Sequence, residues 1–186
     1  MTGNDRRVRR TRRALREALV ALIVERGYEK VTVQDVLDRA DIGRSTFYAH
    51  YRDKDALFTA CFDDLRASLE RELAATVEGP SHDDPTRPIG VMFEHAYANQ
   101  RVYQALCGFS GATAGTRLLH GLVLDSLRDH LTPVGLKLPA DVVASYHAGG
   151  LVAVLVAWVR QGFPQPPAEI AQMCQKMITP SVMAAF

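Results

Sequence analysis

TRRALREALVALIVERGYEKVTVQDVLDRADIGRSTFYAHYRDKDALFTACFDDL, residues Thr11 to Leu65, decides the fold of this 186-residue chain. Apolar residues at Leu15, Ala18, Leu19, Leu22 and Ile23 recur at the spacing of one helical face, and Gly27 comes after them where a left-handed cap is least costly. A first helix is therefore expected to end near Arg26. Thr32 opens a second helix, because its hydroxyl accepts from a first-turn amide while Asp35, three residues on, reaches back as in a capping box. Val33, Val36, Leu37 and Ala40 give that helix its buried face. Asp41, Ile42 and Gly43 form a tight turn, with Gly43 free to take positive φ, and Arg44 to Tyr51 makes a third helix. So short a connection forces the two helices to cross steeply. A rod of about 10 Å results, short enough to enter a major groove about 12 Å wide by its Arg44 end.

Thr46, Phe47, Tyr48, His50, Tyr51, Lys54, Ala56 and Leu57, with Gly27, Thr32 and Ala40 upstream, resemble the DNA-binding domain of the TetR family of transcriptional regulators. Asp41 stands where the family usually has Gly, Gly43 where Ser is common, and Ser45 where Gly is common. The resemblance implies that Arg44 and Ser45 lie where bases are read; Ser45 and Thr46 can reach either base edges or phosphates, and these three residues are the candidates for specificity. An Arg at that place offers guanine O6 and N7 a bidentate pair. Tyr48 and His50 match the family's phosphate-contacting pair, Lys54 brings a point charge to the DNA backbone, and Thr32 offers phosphate a helix N-terminus. Phe47, Tyr51 and Leu57 read as core.

Charge divides the chain in the same place. Residues 1–54 carry 13 Lys and Arg against 8 Asp and Glu, a net of +5, and the remainder carries 9 against 13, a net of −4. Arg6, Arg7, Arg9, Arg10, Arg12 and Arg13 form an arm able to neutralise phosphates or lie in a minor groove, giving salt-dependent and largely sequence-independent affinity. The DNA-reading domain is accordingly residues 1–53, and residues 54–186 make an all-helical regulatory and dimerisation domain.

That second part opens with a long helix from Lys54 to Val77, N-capped by Asp53, whose stripe runs Leu57, Phe58, Cys61, Phe62, Leu65, Leu69 and Leu73. It would couple the DNA-reading domain mechanically to the C-terminal helices. EGPSHDDPTRP, Glu78 to Pro88, is a polar, proline-bearing loop; His82, Asp83 and Asp84 within it lack a fourth ligand, so no metal is expected. Helices are expected over Ile89 to Leu106, Thr113 to Leu131, Asp141 to Gln161, and from Pro167 to Ile178 or beyond. The chain is read as all-α.

SYHAGGLVAVLVAWVRQ, Ser145 to Gln161, is apolar nearly all round and needs partners on several sides. The family pairs its last two long helices with those of a second subunit. Carried over, this predicts a homodimer through Gly149, Gly150, Val154, Met173 and Met177, the glycines permitting close helix approach. The GG pair with a following Trp and a PP-started final helix is also similar to a TetR subgroup that includes regulators of dihydroxyacetone metabolism. Two heads about one turn of DNA apart, roughly 34 to 36 Å, would read a palindromic operator in double-stranded DNA. Met92, His95, Tyr103, Phe109, His120, Tyr146, His147 and Trp158 are the candidates to line a small-molecule effector pocket, and no cofactor is expected.

Hydrophobic residues make up 47% of the chain and charged residues 23%, which suits a soluble globular protein with a sizeable core. The longest apolar run, Ala148 to Val159, falls short of the ~20 residues that span a bilayer. Cys61, Cys107 and Cys174 are odd in number and widely spaced, which points to a reducing cytoplasm rather than a disulfide framework or a zinc site. Motifs of hydrolases, P-loop enzymes, zinc peptidases and dinucleotide enzymes are lacking, so catalysis is not expected. The expected function is ligand-released repression. The alternative is a helix-turn-helix protein that needs no effector and acts through a protein partner as an activator or a nucleoid- or division-linked factor.

Overall fold

The computed structural model describes residues 3–77, 87–107, 113–132 and 136–183. Among them the regular structure is helical: α1 Gly3–Arg26, α2 Val33–Ala40, α3 Arg44–Tyr48, α4 Lys54–Val77, α5 Arg87–Ala98, α6 Gln100–Cys107, α7 Thr113–Leu131, α8 Ala140–Arg160 and α9 Pro167–Met183. The chain divides into two compact units, Met1–Arg66 and Ala67–Phe186. The division falls inside α4 rather than before it, because the first turns of α4 are bonded into the first unit. Phe58 packs on Tyr28 at 4.9 Å between ring centroids, Asp55 accepts a hydrogen bond from the Tyr28 hydroxyl, and Asp64 pairs with Arg16.

In the first unit Leu15, Ala18, Leu19, Leu22 and Ile23 are all buried. The arginine-rich segment is not a separate arm. From Gly3 onward it is the opening half of α1, so Arg6, Arg7, Arg9 and Arg10 are exposed along a helix rather than an extended strand. Arginine is a good helix former, which explains why nothing stops α1 at Thr11. The helix ends when the Gly27 amide donates to Ile23 O at 2.8 Å and Gly27 adopts φ 83, ψ 146, a conformation open to glycine and not to β-substituted residues. A 3-10 turn, Tyr28–Lys30, comes next.

The capping box forms as read: Asp35 N donates to Thr32 Oγ1 at 3.2 Å and Thr32 N donates to Asp35 Oδ2 at 2.8 Å. Those bonds from Thr32 hold the Asp35 carboxyl below its ordinary value. The turn differs from expectation. Asp41, not Gly43, takes the left-handed conformation, at φ 52 and ψ 49, while Gly43 is extended at φ −68 and ψ 148. A short polar Asp tolerates that region better than most residues, so the turn closes without the glycine the family usually carries there. The third helix is also shorter than expected, ending at Tyr48, because the His50 and Tyr51 amides both turn back onto Phe47 O. Asp53 caps α4 through its Oδ1, which accepts from Ala56 N at 2.7 Å.

In the second unit α8 packs against α6 and α7 while α5 packs against α9. Leu69, Leu73 and Leu122 form one buried cluster, and Leu131, Val143 and Ala144 another. The single helix expected over Ile89 to Leu106 is two. Asn99 breaks it: its side-chain amide donates to His95 O at 2.9 Å, and its own carbonyl accepts from Val102 and Tyr103 as α6 begins. The close helix approach expected at Gly149 and Gly150 is absent within the protomer, where a Cβ at either position would meet nothing within 4 Å. It occurs instead at Gly115, where a Cβ would lie 2.6 Å from Leu106 O.

By length and composition α8, at 21 residues and with a mean hydropathy of 1.8 over its most apolar window, could cross a bilayer; half of that window is buried inside the second unit. The twelve-residue run Ala148 to Val159 lies within this longer helix, and Val142, Val143 and Ala144 add to its apolar character beyond Ser145 and His147. Cys61, Cys107 and Cys174 are buried free thiols. Burial pushes Cys61 up to about 12 and Cys107 up to about 11, and raises Cys174, so each is a small apolar group rather than a nucleophile.

Candidate nucleic-acid interface

α3 carries its chemistry on the surface and its anchor inside. Phe47 is fully buried, and Tyr51 beside it is 7% exposed, so both are core as read. Arg44, Ser45, Thr46 and Tyr48 are exposed, together at the start of the helix, and His50 is half-buried just beyond it. Thr32 is exposed at the N-terminus of α2. Among the described residues Arg44 has no carboxylate partner. Its guanidinium lies over the Tyr48 ring, 5.7 Å from the centroid. The neighbouring arginines are engaged elsewhere: Arg39 reaches Glu25 at 2.7 Å and Arg26 reaches Asp35 at 3.2 Å. A cation left without an acid at the tip of a short helix is free to meet an electronegative base edge.

Lys54 is placed differently from expectation. Its Nζ donates to Tyr28 O at 3.0 Å and to Val31 O at 2.9 Å, and it sits 4.1 Å from the centroid of the Tyr28 ring. The ammonium therefore closes the 3-10 turn from inside the unit. The end of a tight turn exposes carbonyls that need donors, and a lysine stem is long enough to supply them. Tyr28, which receives this cation on its face and bonds Asp55, has its phenol pushed up, by burial first and then by that carboxylate. No feature of the local sequence announced the arrangement, since the partners lie 23 and 26 residues away.

Among the described residues of the second unit, those named for an effector pocket fall into several groups. Met92 lines a small apolar hollow of about 30 Å³, together with Leu69, Leu73, Ile89, Leu122 and Leu151. His95 and Tyr103 are a buried pair, the hydroxyl of Tyr103 lying 3.1 Å from His95 Nδ1. The other ring nitrogen, Nε2, has no hydrogen-bond partner among the described residues, with Glu72 Oε1 at 3.9 Å. Burial lowers the His95 pKa, which the Glu72 carboxylate opposes to a lesser degree. Trp158 belongs to an aromatic cluster with Phe93, Tyr97 and Phe163, its indole N–H donating to Gln165 O at 3.1 Å. His147 is buried, His120 half-buried and Tyr146 75% exposed, while Phe109 lies outside the described residues. The loop with His82, Asp83 and Asp84 lies outside them as well.

Sequence reasoning missed Glu72. The signal was its place between Leu69 and Leu73 of the α4 stripe, which sets a carboxylate at the margin of a buried face. Four of the five dimer candidates, Gly149, Gly150, Met173 and Met177, are exposed. Val142, Tyr146, Gly149, Gly150, Ala153 and Ala157 are exposed in one continuous row along α8, and Met173 and Met177 are exposed on α9. Val154 is half-buried at the margin of that row.

Two family models match this chain. One, described as bacterial regulatory proteins of the tetR family, covers residues 15–61, and the other, described as a transcriptional regulator C-terminal region, covers residues 83–180. Among curated proteins, the HTH-type regulator YxbF of Bacillus subtilis is 35% identical over 75 residues, 40% of this chain and 18% of that protein. The HTH-type transcriptional repressor DhaR of a Mycobacterium species is 30% identical over 70 residues, 38% of this chain and 35% of that protein. The matches thus span about a third or less of those relatives. A TetR-family regulator structure from Syntrophomonas wolfei superposes with a TM-score of 0.80 at 15% identity, over 93% of this chain and 95% of that one, a likeness of fold.

Proposed function

The chain belongs to the TetR family of bacterial transcriptional regulators, and from that premise we propose that it is a homodimeric repressor that reads a palindromic operator in cytoplasmic double-stranded DNA. The observation that carries the reading is the Arg44 guanidinium, without a carboxylate partner among the described residues, at the exposed start of α3, with Ser45 and Thr46 beside it. These three residues select sequence. Tyr48, His50 and the Thr32 end of α2 set register on the phosphates, and Arg6, Arg7, Arg9 and Arg10 add affinity without selectivity. Lys54 is left out of this set because two of its three N–H donors are bonded to backbone carbonyls of the first unit.

The dimer is formed by the exposed row on α8 with Met173 and Met177. Such a row, with its pair of glycines, suits close packing against a second copy of itself across a two-fold axis. Repression is the sense of regulation named for the relative DhaR. A small molecule would end repression by binding better to a state in which the hollow beside Met92 is opened, and it could shift the equilibrium only by that difference in affinity.

The size of the hollow favours a second reading, in which no effector is used and the second unit meets a protein partner. About 30 Å³ holds a water or two and no metabolite. Thermal melts across a metabolite panel separate the two: an effector raises the melting temperature by mass action, and a protein partner does not need one.

The reading as a whole is tested by a mobility-shift assay on the DNA upstream of the gene. Arg44→Ala is expected to cost about 1 to 3 kcal/mol on the selected site and to relax base preference, the usual value of a bidentate contact. An equal loss on scrambled DNA would overturn the assignment of Arg44 to base reading.

A further inference from the structure

We propose that Tyr48 is a positioning residue for sequence reading: its ring is the platform that holds the Arg44 guanidinium ready for a base edge. This rests on the reading of α3 as the reading helix and adds a role beyond the phosphate contact already given to the Tyr48 hydroxyl.

Arg44 and Tyr48 are four residues apart, so their side chains share a face of α3. The guanidinium carbon is 5.7 Å from the ring centroid, within the ~6 Å reach of a cation–π contact. The ring itself is fixed from below. Phe47 is fully buried, and the Tyr48 ring meets it edge-on, at 5.3 Å between centroids and 89° between planes. Orientation therefore passes from the core through Phe47 to Tyr48 and on to Arg44.

The chemistry of the contact suits the task. A carboxylate would hold an arginine by its N–H edges and compete with the base for them. An aromatic ring holds it by its face and leaves the five in-plane donors free. Arginine has many rotamers to lose when its fork aligns on guanine O6 and N7, and a side chain already held over a ring in the free protein has fewer left to lose. The ring supplies orientation and the hydroxyl supplies affinity, which makes the two separable by substitution.

The experiment is selection from a randomised duplex pool, then binding of the selected site and its single-base variants to full-length wild type, Arg44→Ala, Tyr48→Phe, Tyr48→Leu and Tyr48→Trp, with thermal melts of each. The position at which Arg44→Ala loses preference marks the base that Arg44 reads. Tyr48→Leu is expected to lower discrimination at that position by about two- to five-fold, the worth of an exposed cation–π contact, and to leave other positions unchanged. Tyr48→Phe is expected to weaken all sites alike with preference intact, and Tyr48→Trp, with a broader face, to retain it even if Tyr48→Leu folds poorly. In an Arg44→Ala background the Tyr48→Leu effect at that position should vanish. Discrimination unchanged in Tyr48→Leu, or lost equally in Tyr48→Phe, would overturn the platform while leaving the reading helix in place. A wild-type protein that selects no sequence would instead remove the reading on which the platform stands.

Discussion

Lys54 and a lysine bound to phosphate look the same in a motif, yet the two make opposite predictions. With Nζ donating to Tyr28 O and Val31 O, Lys54→Met should destabilise the first unit by about 1 to 3 kcal/mol, the range for hydrogen bonds to a charged group. Denaturant unfolding measures this, and the salt slope of DNA binding should not move. A slope reduced by about one would return Lys54 to the phosphates. His95 carries a second prediction. Its pKa is lowered by burial, so between that value and the unfolded value near 6.5 the unfolded chain binds more protons than the folded one. The contribution to stability is complete above 6.5 and is lost as pH falls through the folded value. His147 is shifted the same way. The melting temperature should therefore drop on acidification from pH 7 to 5, and His95→Gln should flatten part of that drop; an unchanged pH profile in the variant would exonerate His95. Local chemistry was legible at this scale: Thr32, Asp35 and Asp53 cap through partners three residues away. Lys54 was not, because its partners are remote in sequence and are backbone atoms, which every residue possesses.

At the scale of elements, the arginine-rich start of the chain changes meaning once it is part of α1. A helix presents Arg6, Arg9, Arg10 and Arg13 within about two turns on one face, where a loose arm would spread them. Removing residues 1–10 should lower the salt slope of DNA binding with little change in sequence preference, because phosphate contacts are blind to sequence. Titrations at several salt concentrations decide this, and an unchanged slope would show that the segment stays in solvent. Helix positions were read well where one apolar stripe and one cap define them, as in α2 and α4. The expected helix over Ile89 to Leu106 hid a break, since apolar periodicity continues across Asn99 and only the side chain of Asn99, folded back on His95 O, marks the joint. The pocket was unreadable for a related reason. Residue type suggested His95, Tyr103, Trp158 and Tyr146, whereas packing sorts them into a buried pair, an aromatic cluster and an exposed face.

At the scale of the molecule, α8 answers two demands along one helix. Its Val143, His147, Leu151 and Leu155 side serves the core of the second unit, and the row from Val142 to Ala157 is left for a partner. Gly150 sits in open space within the protomer, so Gly150→Leu should leave the fold and its melting cooperativity intact while weakening the dimer. Sedimentation at several concentrations reads the outcome, and a variant as dimeric as wild type would move the interface elsewhere. The same substitution should reduce operator affinity, since a lone head reads only half a palindrome.

The chain has four lysines: Lys30, Lys54, Lys137 and Lys176. Three of them are exposed, and the fourth has its amine held between two carbonyls and an aromatic face. Acylating reagents, which need an accessible amine, should therefore modify the other three first and reach Lys54 as the turn beside it opens. Its rate of acylation is thus a built-in clock for the local breathing of the DNA-reading head.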